Sequence, residues 1–217
     1  MIVELIPVLE LVYQHTELTI PKYPYWENQE DWDLYLTECY EKAGFKDKFT
    51  LYSKGFPFSK ISDISRENLT KLILDHTQDL RGGKYTREES CTFFGGFALV
   101  MNKINIYFPQ CCGELIDIFY WEKLAKGEPA YYEGHPCPSV YFEKNSLILD
   151  FSVEEFDESF QPTPSEAKIT IEYIKLQKAV ENAKEQLYAF EKRLEEINQY
   201  EKLGIDNIGK LLIWGDY

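Results

Sequence analysis

Cys111 and Cys112 stand side by side, and His135 and Cys137 follow further along the chain. Together they supply three thiols and an imidazole, the soft donors that Zn²⁺ prefers. Their spacing argues against an ion, because adjacent cysteines project in different directions in most backbones. Zinc sites usually space their cysteines two to four residues apart, and His135-x-Cys137 is off that pattern as well. A thiol nucleophile is the other chemistry these residues suggest. Cys112 precedes Gly113 at an expected strand-to-helix junction, where helix N-terminal amides lower a thiol's pKa. His76 or His135 would be its base, with an Asp or Asn to orient the ring. A disulfide between neighbours would close a strained eight-membered ring. The plainer reading of Pro109-Gln110-Cys111-Cys112-Gly113-Glu114-Leu115 is a corner of the fold. A strand ends at Phe108, Pro109 stops further pairing, and Gln110 bonds loop backbone. Gly113 permits a tight turn, and Glu114 and Asp117 place charge in the first turn of the next helix.

Carboxylates are too numerous to mark an acid–base pair, since 37 of the 217 residues are Asp or Glu. One acidic run is interleaved with aromatics: Asp150, Phe151, Glu154, Glu155, Phe156, Asp157 and Glu158. It reads either as a solvated loop or as a docking strip for a basic partner, with Phe151 and Phe156 as anchors among carboxylates. Arg81-Gly82-Gly83-Lys84 has the glycines of a phosphate loop but neither its Gly-Lys-Ser/Thr close nor its apolar helix, and reads as surface loop.

The formal net charge of −14 makes the functional classes unequal. There is no basic excess to release counterions from a phosphate backbone, so nucleic acid and anionic membranes are excluded as expected partners. A basic protein is the partner such a surface would steer. Met1–Pro7 has no basic leader and carries Glu4, no apolar run approaches a membrane span, and five cysteines show no scaffold spacing. The expectation is a cytoplasmic protein with free thiols.

The elements that must position these side chains are legible from periodicity. Ile2–Tyr13 reads as an opening strand broken or bent by Pro7, and Asp31–Ala43 as a helix with Trp32, Leu36, Cys39 and Tyr40 on one face. Ser65 caps a second helix through Leu72 and Ile73. Phe97, Leu99 and Met101, then Ile104, Ile106 and Phe108, alternate about Asn102-Lys103 as a hairpin. Val140 and Phe142 with Leu147, Leu149 and Phe151 make another. Leu115–Lys126 is a short helix between them, with Leu115, Ile118, Phe119 and Leu124 mostly inward. From Tyr173 to Ile197 an apolar stripe recurs at alternating spacings of three and four, on one long helix. The stripe would serve a coiled-coil dimer or a helix packed across the sheet, and its irregular seam at Tyr173 and Ala183 favours packing. Leu211–Trp214 reads as an edge strand. The fold class expected is α+β: antiparallel hairpins forming a sheet covered by helices, in a single domain over 1–217, with a long C-terminal amphipathic helix over 164–204.

The string Phe108-Pro109-Gln110-Cys111-Cys112-Gly113-Glu114-Leu115-x-Asp117, with Trp121 and Gly134-His135-Pro136 beyond it, resembles a group of bacterial proteins carrying a Pro-Gln-Cys-Cys-Gly-Asp-Leu-type segment. The likeness spans roughly residues 94–151, and Glu114 stands where the group's pattern has Asp. It implies an association with toxin–immunity or similar accessory genes, and no catalytic residue. Since no catalytic set assembles from the sequence, the expected function is a protein-binding module, an immunity-type inhibitor of a basic toxin, monomeric or weakly dimeric and without a cofactor. The alternative is a Cys/His-centred enzyme or a structural zinc-binding protein.

Overall fold

The computed structural model describes residues 1–132, 134–153 and 158–215. Its architecture is α+β, with two antiparallel sheets and a long helix that packs along them. The first sheet holds β1 (Val3–Glu10), β2 (Phe58–Lys60), β3 (Gly95–Met101) and β4 (Ile104–Tyr107) in the order β2-β1-β3-β4. Between its strands lie α1 (Gln29–Lys42), α2 (Arg66–His76) and the short α3 (Gln78–Arg81). A 3₁₀ turn at Leu115–Asp117 leads into α4 (Ile118–Ala125). The second sheet follows as β5 (Ser139–Phe142), β6 (Ser146–Asp150) and β7 (Lys168–Glu172), and β7 runs directly into α5 (Tyr173–Tyr200).

The expected hairpins are both present. Asn102 and Lys103 form the β3–β4 turn with φ of 51° and 69°, the left-handed pair whose twist matches the flanking strands. Ser65 caps α2 by accepting from the amide of Asn68. Along α5, Leu176, Val180, Ala183, Leu187, Phe190, Leu194 and Ile197 are all buried in the chain's own core. The amphipathic stripe is thus consumed by intramolecular packing.

Four local expectations differ. The helix expected over 164–204 spans only Tyr173–Tyr200, because Lys168–Glu172 alternate exposed and buried residues and pair with β6 as β7. Pro7 does not break β1. Its carbonyl accepts from the amide of Ile61, just beyond the end of β2, so its missing N–H falls where the ladder is already finishing. The Ile61 carbonyl accepts instead from Arg193 Nη1 of α5 at 2.7 Å, and Arg193 Nη2 reaches the carbonyl of Ile64. Residues 210–214 form a π-helical turn rather than an edge strand. Leu211, Leu212 and Ile213 are all buried, which a strand with one solvent face would not allow. Phe119 is 40 % exposed and leans on Trp214, while Trp121 takes the interior place at 1 %.

The two faces of the first sheet have different company. Val3, Leu5, Leu9 and Leu11 point into the main core with α5, α4 and the second sheet. Val8 points the other way into a small cluster with Phe56, Phe58 and Phe108, against which Ile6, Tyr25, Trp26 and Tyr52 pack. The functional candidates lie beside this outer cluster. Arg193→Leu would leave the Ile61 and Ile64 carbonyls without their charged donor, and should lower unfolding free energy by about 2 kcal/mol. Arg193→Lys, which can serve one carbonyl but not fork to both, should recover part of that loss in chemical denaturation.

Candidate functional site

The segment after β4 folds as a corner, held by close backbone approaches. Gly95 donates its amide to the carbonyl of Gly113 at 2.8 Å, and Leu115 donates to Phe93. A side chain at Gly113 would place its β carbon 2.7 Å from the Gly95 carbonyl, so only glycine lets the two strands of backbone meet. Glu114 accepts from both the amide and the hydroxyl of Thr92, at 2.8 and 2.7 Å, while its own amide donates to Asp117 Oδ2. Gln110 is buried, donating to the carbonyls of Phe108 and Gln161 and accepting from the amide of Gln161. These bonds leave Cys111 and Cys112 exposed at the apex.

Cys112 has φ of 63°, a left-handed conformation that L-residues rarely adopt. The reversal brings the two sulfurs to the same side, 3.5 Å apart, where the sequence led us to expect divergence. His135 arrives from the loop that bridges α4 and β5. Its amide donates to the Cys111 carbonyl at 3.0 Å, and its Nε2 stands 3.8 Å from Cys112 Sγ. That loop passes tightly over Tyr132, since a β carbon on Gly134 would lie 2.5 Å from the tyrosine ring. Glu158 completes the row, with Oε2 at 2.8 Å from His135 Nδ1. Partial withdrawal from water, the Cys112 thiol and the carboxylates of Glu158 and Glu10 push the Cys111 thiol up to about 11.

Cys111, Cys112 and His135 are therefore brought together, their donor atoms all within 4.8 Å of one another. Cys137 lies outside that group and turns its sulfur toward the Pro138 carbonyl. His76, the other candidate base, hydrogen-bonds the Cys91 carbonyl through Nε2, and burial lowers its pKa.

The acidic strip is divided among several roles. Asp150 is buried and bonded to Lys168 Nζ across β6–β7 at 2.7 Å, and Phe151 is a core residue stacked on Tyr107. Glu158 belongs to the imidazole, while Glu154, Glu155, Phe156 and Asp157 lie outside the described residues.

A surface the sequence reading did not single out lies beside the corner. Tyr23, Tyr25 and Trp26 form a ledge of mutually edge-on rings with centroids 4.8–6.1 Å apart. The ledge is tied to the corner through Gln161, which bonds the Tyr23 and Tyr25 hydroxyls as well as Gln110. The Pro/aromatic string at residues 21–26 was its signal, but composition alone did not show which rings face water.

Comparison with protein-family models, curated proteins and solved structures finds no match to this chain.

Lys168, with Ser152, holds the Asp150 carboxyl down at about 2. Its folded pKa lies below the ordinary carboxylate value near 4, so its stabilising contribution is present above pH 4 and disappears as pH falls toward 2. Asp150→Asn should flatten the chain's stability-versus-pH curve across that window, read as the urea midpoint at half-unit pH steps.

Proposed function

We propose that the chain is a protein-binding module whose partner is basic, in the manner of an immunity protein that occludes a cationic toxin. The observation that carries this reading is the ledge together with α1. Tyr23 is 51 % exposed and Leu34 is 64 % exposed, so two large apolar side chains are offered to solvent within a setting of carboxylates. α1 contributes five of these (Glu30, Asp31, Asp33, Glu38 and Glu41); Glu30 is paired with Lys54, and the helix's own Lys42 is paired with Glu17. Glu30 and Asp31 lie in its first turn, where the helix dipole favours them. Glu38 and Glu41 lie toward its C-terminal end, where the same dipole opposes them, so fold stability does not account for their charge. Apolar anchors ringed by charge of one sign are the composition of an interface that steers and then holds an oppositely charged partner.

Glu10 adds to the same surface. It is half-buried at the end of β1, makes no ion pair among the described residues, and its carboxyl is pushed up by burial. It is close enough to Tyr25 and Cys111 to act on both through its charge. A carboxylate beside half-buried aromatic rings, with Tyr23 exposed next to them, is a setting suited to an ammonium or guanidinium group. The toxin–immunity association implied by the Pro-Gln-Cys-Cys-Gly segment agrees with this reading but identifies no partner. The support comes from the ledge and α1, because the described members of the 150–158 strip are engaged within the fold.

Binding of an arginine- and lysine-rich peptide, followed by tryptophan fluorescence, should weaken steeply between 50 and 300 mM salt, values set by the screening length. Glu27→Lys with Asp31→Lys should weaken it by about 10-fold. The same reversals at Glu181 and Glu185, exposed on α5, should leave it unchanged. Equal losses at both faces would reduce the effect to net charge and remove the ledge from the proposal.

A further inference from the structure

We propose that Cys111, Cys112 and His135 form a site for one thiophilic divalent ion of the zinc class, supplying three donors among the described residues and held from behind by Glu158. The inference does not depend on the docking surface, since it concerns different atoms and a different ligand.

The spacing of the donors is the first argument. A tetrahedral ion with Zn–S near 2.3 Å and Zn–N near 2.0–2.1 Å requires S···S edges of about 3.8 Å and S···N edges of about 3.6 Å. The structure has Sγ···Sγ at 3.5 Å and Cys112 Sγ···His135 Nε2 at 3.8 Å. All three donor atoms lie within 4.8 Å of one another. Small side-chain rotations would therefore close them on one ion, with no backbone movement.

The second argument is how the backbone produces that spacing. In an extended segment, adjacent cysteines point to opposite faces. Here Cys112 adopts φ of 63°, and the antiparallel bridge between Cys111 and His135 sets the imidazole opposite the thiols. The left-handed conformation is unfavourable for a residue with a side chain, and glycine would avoid that penalty. A thiol at this position is thus placed against a backbone preference, in the one conformation that pairs it with its neighbour.

The third argument is the imidazole's support. When Nδ1–H donates to Glu158, at 2.8 Å, the lone pair of Nε2 is left facing Cys112. A carboxylate behind a ligating histidine fixes the tautomer and makes the ring a better donor. Glu10 and Glu158 also place negative charge around Cys111, an environment that favours a bound cation.

The donor set decides the class of ion. Two sulfurs and a nitrogen suit zinc and cobalt, whereas magnesium and calcium require oxygen. Cys137 is not among the converging donors. Binding would release the thiol protons as the thiolates ligate.

Cobalt(II), used as the spectroscopic stand-in and titrated into the full-length, reduced protein, tests the inference. The expected result is saturation at one equivalent, with thiolate-to-cobalt charge-transfer absorption and intense tetrahedral d–d bands that zinc then bleaches. Cys112→Gly suits the backbone at that position and should keep the fold by circular dichroism, yet weaken binding by about 100-fold or more. Cys111→Ser and His135→Gln should do likewise. Glu158→Gln should cost about 10-fold through the second shell, and Cys137→Ser nothing. Absence of sulfur-to-cobalt absorption at millimolar cobalt, or full binding by folded Cys112→Gly, would overturn the proposal. A charge-transfer band lost in Cys137→Ser but kept in His135→Gln would also overturn it.

Discussion

Gly95 is pinched between two stretches of backbone, and the Cys-Cys corner depends on that contact. A β carbon there would fall 2.2 Å from the Val8 carbonyl on one side, and its φ of 132° is open in practice only to glycine. On the other side its amide and carbonyl meet Gly113 of the Cys-Cys corner. The first sheet thus reaches the corner with no side chain intervening. Upstream of Gly95, Thr92 clamps Glu114, and the Phe93 carbonyl receives the amide of Leu115. The thiols are held at the apex of a corner fixed by backbone hydrogen bonds, which is what a short donor spacing requires.

The charge of the chain has the same local logic. A net charge of −14 works against compaction through self-repulsion, so where the carboxylates sit matters more than their number. Several are neutralised within the fold: Asp150 by Lys168, Asp75 by Lys71, and Glu122 by both Lys126 and Lys184. Others are left facing solvent or half-buried along α1 and at Glu10. A cation supplied from outside, whether a metal ion at the corner or a basic side chain on the ledge, relieves repulsion that the fold does not relieve itself. Both proposals are therefore cationic in ligand for one electrostatic reason, although they concern different atoms.

The α+β class, both hairpins, the cap at Ser65 and the buried stripe of α5 were legible because each rests on local periodicity or a single capping side chain. What escaped was set by contacts distant in sequence. Pro7 looked like a break because nothing local indicates that Arg193 will donate to the Ile61 carbonyl in place of the N–H that proline lacks. Leu211–Trp214 looked like a strand because four apolar residues have no period, and only burial on all sides distinguishes a helical turn. At the site, three of the four donors singled out from the sequence converge and Cys137 does not, yet the rule that adjacent cysteines diverge pointed the wrong way. That rule assumes extended or right-handed backbone, and one left-handed residue reverses it. The role of Glu158 was hidden inside an acidic run where every carboxylate looked alike.

Departures from local preference are informative when they adjoin. Tight left-handed turns at Asn102–Lys103 close a hairpin and need no further account. Cys112 is different, since its conformation closes no hairpin and brings two exposed thiols together. Glu10 gives up hydration without gaining an ion pair among the described residues, and Glu38 and Glu41 oppose the dipole of their own helix. The first two are linked through charge, since Glu10 acts on Cys111 and on Tyr25, whose ring meets Trp32 of α1 edge-on. The opposite face of the same sheet, carrying Val3, Leu5, Leu9 and Leu11, follows the ordinary rules of a buried strand. Random tolerance of small costs would scatter them over the surface. Cys112 and Glu10 instead lie near one another at the corner, with Glu158 beside them, where the cost of each would be recovered by the cation proposed for that site.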